Sequence, residues 1–261
     1  MTTVTTGKNP SGKGPAGKNP LAAAEEADKK RKIMIQVGVA AVLVALVAAI
    51  GIGLAVKKSD SDSKESTSSA AQLPATGGSV TPTGTVIIGN PAAPVKVRVV
   101  ADLQCPACKQ FEAANGAALA KAAADGSASV EYQIISFLDK ASTDQYSSRA
   151  ANASFCVAKS DTTKYQSWLQ TMFEQQPAEG GAGLSNDQLV QIATDAGYTD
   201  PAVATCINGK PYNDDIQKFT QAALQGGVQS TPSVYINGQL EQSDAIFTED
   251  GLTSVIADAA K

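Results

Sequence analysis

Residues 95–111 read VKVRVVADLQCPACKQF and place a C-x-x-C motif directly after a run of β-branched residues. Valines alternate with lysine and arginine before the run becomes fully apolar, which predicts a strand over Val95–Leu103 that enters the interior of a sheet. Pro106 suits the first position of a helix, where its missing N–H costs nothing. We therefore predict a strand, a short turn and a helix whose N-cap is Cys105.

A cysteine at a helix N-cap is a candidate nucleophile, because its sulfur lies at the positive end of the helix dipole and close to unpaired N–H groups. Such sites lower the pKa of a thiol from about 8.5 to between roughly 3.5 and 7.5. Cys108, one turn inside the helix, is expected to be less exposed and able to attack a mixed disulfide on Cys105. Half of a metal site and a short structural disulfide are the other interpretations of the motif.

The sequence of the rest of the domain predicts further strands and helices. A strand over Val130–Phe137 is followed by a long helical stretch at about residues 142–225. Ser233–Ile236 is predicted to form a short strand, and the Asn-Gly pair after it is a strong signal for a two-residue hairpin turn. A last helix is predicted with Thr248 as its N-cap.

The charged residues are distributed unevenly along the 261 residues. Residues 1–32 carry seven basic and three acidic side chains, whereas the remainder carries a net charge of −8. A globular part this acidic lacks the basic surface that nucleic-acid phosphates require. We therefore exclude nucleic-acid binding.

The most hydrophobic segment covers residues 33–56, where Gln36 is the only strongly polar side chain. A helix of this length, at about 1.5 Å per residue, covers the roughly 30 Å of a bilayer core. We predict a signal-anchor, that is, a single transmembrane helix. The alternative is a cleaved signal peptide, whose apolar region is usually only about 7 to 15 residues long.

The sequence on either side of this segment predicts its orientation and the domain limits. Residues 1–32 end in four consecutive cations and repeat a Gly-Lys-x-Pro unit, which predicts a disordered cytoplasmic arm. Residues 57–84 are rich in serine, threonine and glycine and predict a flexible linker. The expected protein is a single-pass cell-membrane protein with an extracytoplasmic domain at residues 85–261.

The C-P-A-C motif at 105–108, the helical stretch, and Thr231-Pro232 before a strand and hairpin resemble one known family. They are similar to the DsbA-like thiol:disulfide oxidoreductases of the thioredoxin superfamily, in the membrane-anchored form found in actinobacteria. The resemblance covers residues 85–261 and implies an α/β thioredoxin fold with an inserted all-helical domain. It also implies that Cys105 and Cys108 are catalytic.

The resemblance further implies a substrate-binding role for Thr231 and Pro232. In the family the bond between them is cis and packs against the active cysteines, which leaves the backbone of Thr231 free to pair with an extended substrate. An ordinary proline at the start of a strand is the alternative interpretation of Pro232.

Two positions depart from the family pattern. Family members often have a buried acid six residues before the first cysteine, but Val99 occupies that position here. Asp102 is the nearest acid and the candidate proton acceptor, acting through water, unless its side chain faces solvent. The active-site dipeptide is Pro106-Ala107, without the thiolate-stabilising histidine of the best-known member, so we predict a milder oxidant.

Cys156 and Cys206 lie on predicted helices of the insertion. A zinc site would need all four cysteines of the chain, and their spacing matches no familiar closed site. We predict no metal and no cofactor. Outside the cytoplasm such a pair is expected to form a structural disulfide, and two buried free thiols are the alternative.

Three functions are compatible with these features. The first is a protein-disulfide oxidase that acts on unfolded exported proteins with free thiols. By resemblance, a vitamin K epoxide reductase-like or DsbB-like membrane protein would reoxidise it. The second runs the same chemistry in reverse, as a reductase or isomerase supplied with electrons across the membrane. The third is a binding or chaperone module whose cysteines are only structural.

Overall fold

The computed structural model describes Leu73 and residues 76–261. The predicted arm at 1–32, the predicted anchor at 33–56 and most of the predicted linker at 57–84 lie outside the described residues. Within the described part, none of the helices combines the length and hydrophobicity of a membrane span.

The centre of the domain is a six-stranded mixed sheet. Its strands are β1 (Gly78–Val80), β2 (Thr85–Ile88), β3 (Val95–Ala101), β4 (Ala128–Ile134), β5 (Ser233–Ile236) and β6 (Gln239–Leu240). Their order across the sheet is β1-β2-β4-β3-β5-β6, and only β3 and β4 run parallel. The alternating valines of β3 are buried because this strand lies inside the sheet and is covered by helices.

Seven α-helices surround the sheet in the described residues: α1 (Pro106–Asp125), α2 (Tyr146–Ser160), α3 (Tyr165–Glu174), α4 (Asn186–Asp195), α5 (Pro201–Gly209), α6 (Asn213–Gln225) and α7 (Gly251–Ala259). α1 connects the parallel strands and packs against β4, α3 and α7. α2 to α6 all fall between β4 and β5, so the helical stretch predicted at about 142–225 is confirmed. The fold is the thioredoxin-like α/β fold with this helical segment.

Several local predictions are confirmed. α1 begins at Pro106 with Cys105 as its N-cap, and Ser233–Ile236 is a strand. The hairpin turn after that strand has positive φ angles at Asn237 (49°) and Gly238 (85°), which is why this residue pair is favoured there.

The domain begins earlier than predicted, so the linker prediction of 57–84 is wrong at its C-terminal end. Gly78–Val80 forms the edge strand β1, paired antiparallel with β2. Composition predicted a linker because the residues of this segment are mostly small and polar. The glycine is required by the pairing, since a Cβ at Gly78 would collide with the carbonyl oxygen of Ile87.

The predicted N-cap of the last helix is also wrong. α7 begins at Gly251, and Thr248 lies between a short 3₁₀ turn and that helix. The reason is Asn115 of α1, whose side-chain oxygen accepts a hydrogen bond at 2.9 Å from the N–H of Leu252. A buried residue distant in sequence thus satisfies a helix terminus that a local cap was expected to satisfy.

Cys156 and Cys206 are joined by a disulfide that links α2 to α5. In the chain-entropy model, closing a loop of this size stabilises the folded state by on the order of 4 kcal/mol. The disulfide holds together the helical segment that covers the sheet on the side of α2.

Candidate active site

The C-P-A-C motif lies where β3 ends and α1 begins. The N–H of Cys105 donates to the carbonyl of Asp102 at 3.0 Å, which closes a tight turn between the two elements. Cys105 retains 7% of its surface exposed, whereas Cys108 is fully buried at 0%. The first cysteine is therefore the one that another molecule can reach.

The loop before β5 lies against the first cysteine. The Thr231–Pro232 bond is cis, and the Cys105 thiol donates to the carbonyl oxygen of Thr231 at 3.2 Å. These residues, far apart in sequence, meet because β5 pairs antiparallel with β3. The structure thus brings Cys105, Cys108, Thr231 and Pro232 together at one end of the sheet.

The pKa of Cys105 is lowered to about 6. The main cause is a hydrogen bond from the Cys108 thiol, which outweighs the opposing effect of burial. The Thr231 side chain and the backbone N–H groups of Ala107 and Cys108 lower the pKa further. The N–H groups at the start of α1 contribute as expected for a cysteine at an N-cap, and the neighbouring thiol contributes most.

Cys108 has the opposite electrostatics. Burial raises its pKa well above the ordinary value, and a hydrogen bond to Cys105 and the charge of that residue add to the rise. A thiolate on Cys105 and a thiol on Cys108 are therefore the stable protonation states of the reduced site near neutral pH.

Asp102 is fully buried at 0% exposure, so the solvent-facing alternative is wrong. Its carboxylate accepts hydrogen bonds from the N–H groups of Leu138 (2.7 Å) and Gln104 (2.8 Å) and from the hydroxyl of Ser147 (2.8 Å). Burial raises its pKa to about 6, although these hydrogen bonds oppose the rise. The carboxyl group can therefore change its protonation state near neutral pH.

Glu112 is a buried acid that was not predicted from the sequence. It lies one helical turn after Cys108 on α1, and burial raises its pKa to about 7. Its Oε1 atom has no hydrogen-bond partner among the described residues. A polar residue four positions after a buried cysteine was the available signal, but the alanine-rich helix obscures which face is buried.

The described residues contain no cluster of three or more histidine, cysteine, aspartate or glutamate side chains arranged to hold a metal ion. A dithiol, a buried acid and a cis-proline loop lie together at this end of the sheet.

A family model described as thioredoxin matches residues 81–258 of the chain. The chain therefore belongs to the thioredoxin family. The match includes the C-P-A-C motif, the helical segment and the cis-proline loop.

Solved structures with this fold include two from Mycobacterium tuberculosis. The chain is 29% identical to reduced DsbA, with a TM-score of 0.54 and coverage of 72% of this chain and 98% of that one. It is also 29% identical to the reduced disulfide bond oxidoreductase DsbG, with a TM-score of 0.55 and coverage of 72% and 91%. MdbA from Corynebacterium diphtheriae, at 21% identity and a TM-score of 0.60, shares the fold. The resemblance to DsbA-like proteins is confirmed.

Among curated proteins, the chain is similar to the serine/threonine-protein kinase PknE of Mycobacterium tuberculosis. The two are 32% identical over 158 residues, which cover 58% of this chain. The chain spans only 28% of the length of that kinase.

Proposed function

We propose that this protein is a membrane-tethered, extracytoplasmic thiol:disulfide oxidoreductase that introduces disulfide bonds into exported proteins. Cys105 and Cys108 carry the exchanged disulfide. The observation that carries the proposal is the lowered pKa of Cys105, a partly exposed thiol at a helix N-cap beside the cis-proline loop.

The first step is attack by a client thiolate on Sγ of Cys105 when the two cysteines are joined. A bond forms between the client sulfur and Cys105, and the bond to Cys108 breaks. Cys108 leaves as a thiolate and takes up a proton, because its own pKa is high. Thr231 is proposed to hold the client backbone during this step.

In the second step, another client thiolate attacks the client sulfur of the mixed disulfide. The client disulfide forms and Cys105 leaves as a thiolate. A thiol of low pKa is the better leaving group, so the pKa of Cys105 near 6 favours transfer of the disulfide to the client. The protein ends reduced and must be reoxidised.

Asp102 is the proposed proton donor and acceptor for Cys108. We expect Asp102→Asn to slow the first step by about 100-fold at neutral pH, because an amide cannot deliver the proton that Cys108 takes up. The measurement is acid-quenched, single-turnover reaction of the oxidised protein with a reduced peptide. Asp139→Asn is the matched control, since the Asp139 carboxylate accepts hydrogen bonds from the N–H and the hydroxyl of Ser148 and makes none to either cysteine. Equal rates for wild type and Asp102→Asn would exclude the role.

The proposed partners are unfolded exported proteins with free thiols and a membrane reoxidant. By family resemblance the reoxidant is a vitamin K epoxide reductase-like or DsbB-like protein. Anchoring through residues 33–56 would raise the local concentration of the enzyme near both partners.

The redox state in intact cells tests the direction of the reaction. After labelling with a mass-shifting maleimide, we expect Cys105 and Cys108 to be mostly oxidised, as for an oxidase. A mostly reduced pair would instead support a reductase or isomerase. A pair that does not respond to mild dithiothreitol would support a structural role. A double variant with serine at both positions controls for labelling elsewhere.

A further inference from the structure

The helical segment contacts the active-site turn through Gln176. α3 ends at Glu174, and Pro177 disfavours helical conformation in the residue before it, so the chain leaves the helix here. The side chain of Gln176 is half-buried at this point and reaches towards the start of α1.

The amide of Gln176 binds two carbonyl groups of the active-site turn. Its Nε2 atom lies 2.9 Å from the carbonyl oxygen of Cys105 and 3.2 Å from that of Leu103. Carbonyl oxygens only accept hydrogen bonds, so the NH₂ end of the amide must face both of them. Lys109 adds a bond between the same helix ends, because its Nζ donates to the carbonyl of Glu174 at 3.1 Å.

These contacts bear on the reactive sulfur because the carbonyl of Cys105 belongs to the same residue. The partial negative charge of that oxygen disfavours a thiolate beside it. The oxygen already accepts from the N–H groups of Cys108 (3.0 Å) and Lys109 (3.2 Å). A third donor, Gln176, offsets more of the charge and restrains the peptide planes on both sides of the N-cap.

We propose that Gln176 is a positioning residue that holds Cys105 in its reactive conformation and stabilises its thiolate. The inference rests on the proposed function, since it assigns a role within the same redox site. It also connects the helical segment to the chemistry of the dithiol, because α3 and Gln176 belong to that segment.

Gln176→Glu tests the proposal by replacing two donors with a carboxylate of nearly the same shape. We expect the pKa of Cys105 to rise by about one unit, a roughly tenfold change in its ionisation equilibrium. The protein should become a weaker oxidant by up to the same factor, equivalent to about 30 mV in reduction potential. Gln176→Ala, which adds no charge, should give a loss of about threefold in the same direction.

The measurements are the ultraviolet absorbance of the thiolate against pH and the redox equilibrium with glutathione. Gln175→Glu is the matched control: it adds the same charge one residue away, at an exposed side chain that makes no hydrogen bond to any described residue. We expect it to leave the pKa of Cys105 within about 0.2 units. Thermal unfolding of each variant checks the fold, and Gln176→Ala serves if Gln176→Glu does not fold.

Two outcomes would overturn the proposal. If neither Gln176 variant shifts the pKa of Cys105, the contact is merely structural. If Gln175→Glu shifts it as much as Gln176→Glu, the effect is that of a distant charge. Failure of the proposed function looks different: the Gln176 variants would still shift the pKa, but the wild-type protein would not oxidise a reduced peptide.

Discussion

Cys108→Ala should convert the protein into a trap that accumulates mixed disulfides with its clients through Cys105. The sulfur of Cys105, the more accessible of the two, can still exchange with a client disulfide or an oxidised small thiol. The buried sulfur that would displace the client is absent, and an intramolecular nucleophile of this kind is worth many orders of magnitude in rate. We expect turnover to fall by at least about 1000-fold.

Non-reducing electrophoresis and mass spectrometry of the captured species measure this result. Cys105→Ala is the control and should capture nothing, because Cys108 is fully buried. Capture through Cys108 instead, or capture by neither variant, would contradict the assignment of Cys105 as the residue that meets the client.

The second large effect is a rise in folding stability with pH that the Cys105 thiolate gives to the reduced protein alone. The pKa of Cys105 is about 6 in the folded state, against 9.0 as the ordinary value. For a group whose pKa is lowered by folding, the stabilisation is complete above the unfolded pKa and is lost as the pH falls through the folded pKa. The reduced protein should therefore gain about 3 kcal/mol in unfolding free energy from pH 6 to 9.

Urea unfolding of the reduced and oxidised forms across this pH range measures the difference. Asp102 and Glu112 have raised pKa values and destabilise the folded state as the pH rises towards neutrality. They titrate in both redox forms, so their effects largely cancel in the difference. The Cys105→Ser variant should lack the rise. Parallel curves for the reduced and oxidised wild type would contradict a stabilised thiolate.

The sequence predicted the features that depend on neighbouring residues. A valine-rich run, a C-P-A-C motif and an Asn-Gly pair each determine a local conformation, so β3, the N-cap at Cys105 and the last hairpin were predictable. The helical segment was also predictable, because each of its helices carries its own apolar periodicity or local cap.

Features that depend on contacts distant in sequence were not predictable. Asp102 is buried because Ser147 of α2 and the loop at Leu138 cover it. Glu112 is buried where α1 packs against α3. The start of α7 is determined by Asn115, and β1 exists because β2 offers it a partner edge. Local sequence signals contain no information about such contacts.

The short edge strand β1 determines where the domain would yield to a pulling force. Its outer contacts are hydrogen bonds from the N–H of Gly78 to the hydroxyl of Thr162 and from the N–H of Gly89 to the carbonyl of Gly77. A force that pulls the chain before β1 away from the sheet would stretch these hydrogen bonds one after another. We therefore expect β1 to separate from β2 before any other strand. β3 and β5, which position the dithiol and the cis-proline loop, lie further across the sheet. The dithiol would therefore keep its geometry while β1 separates.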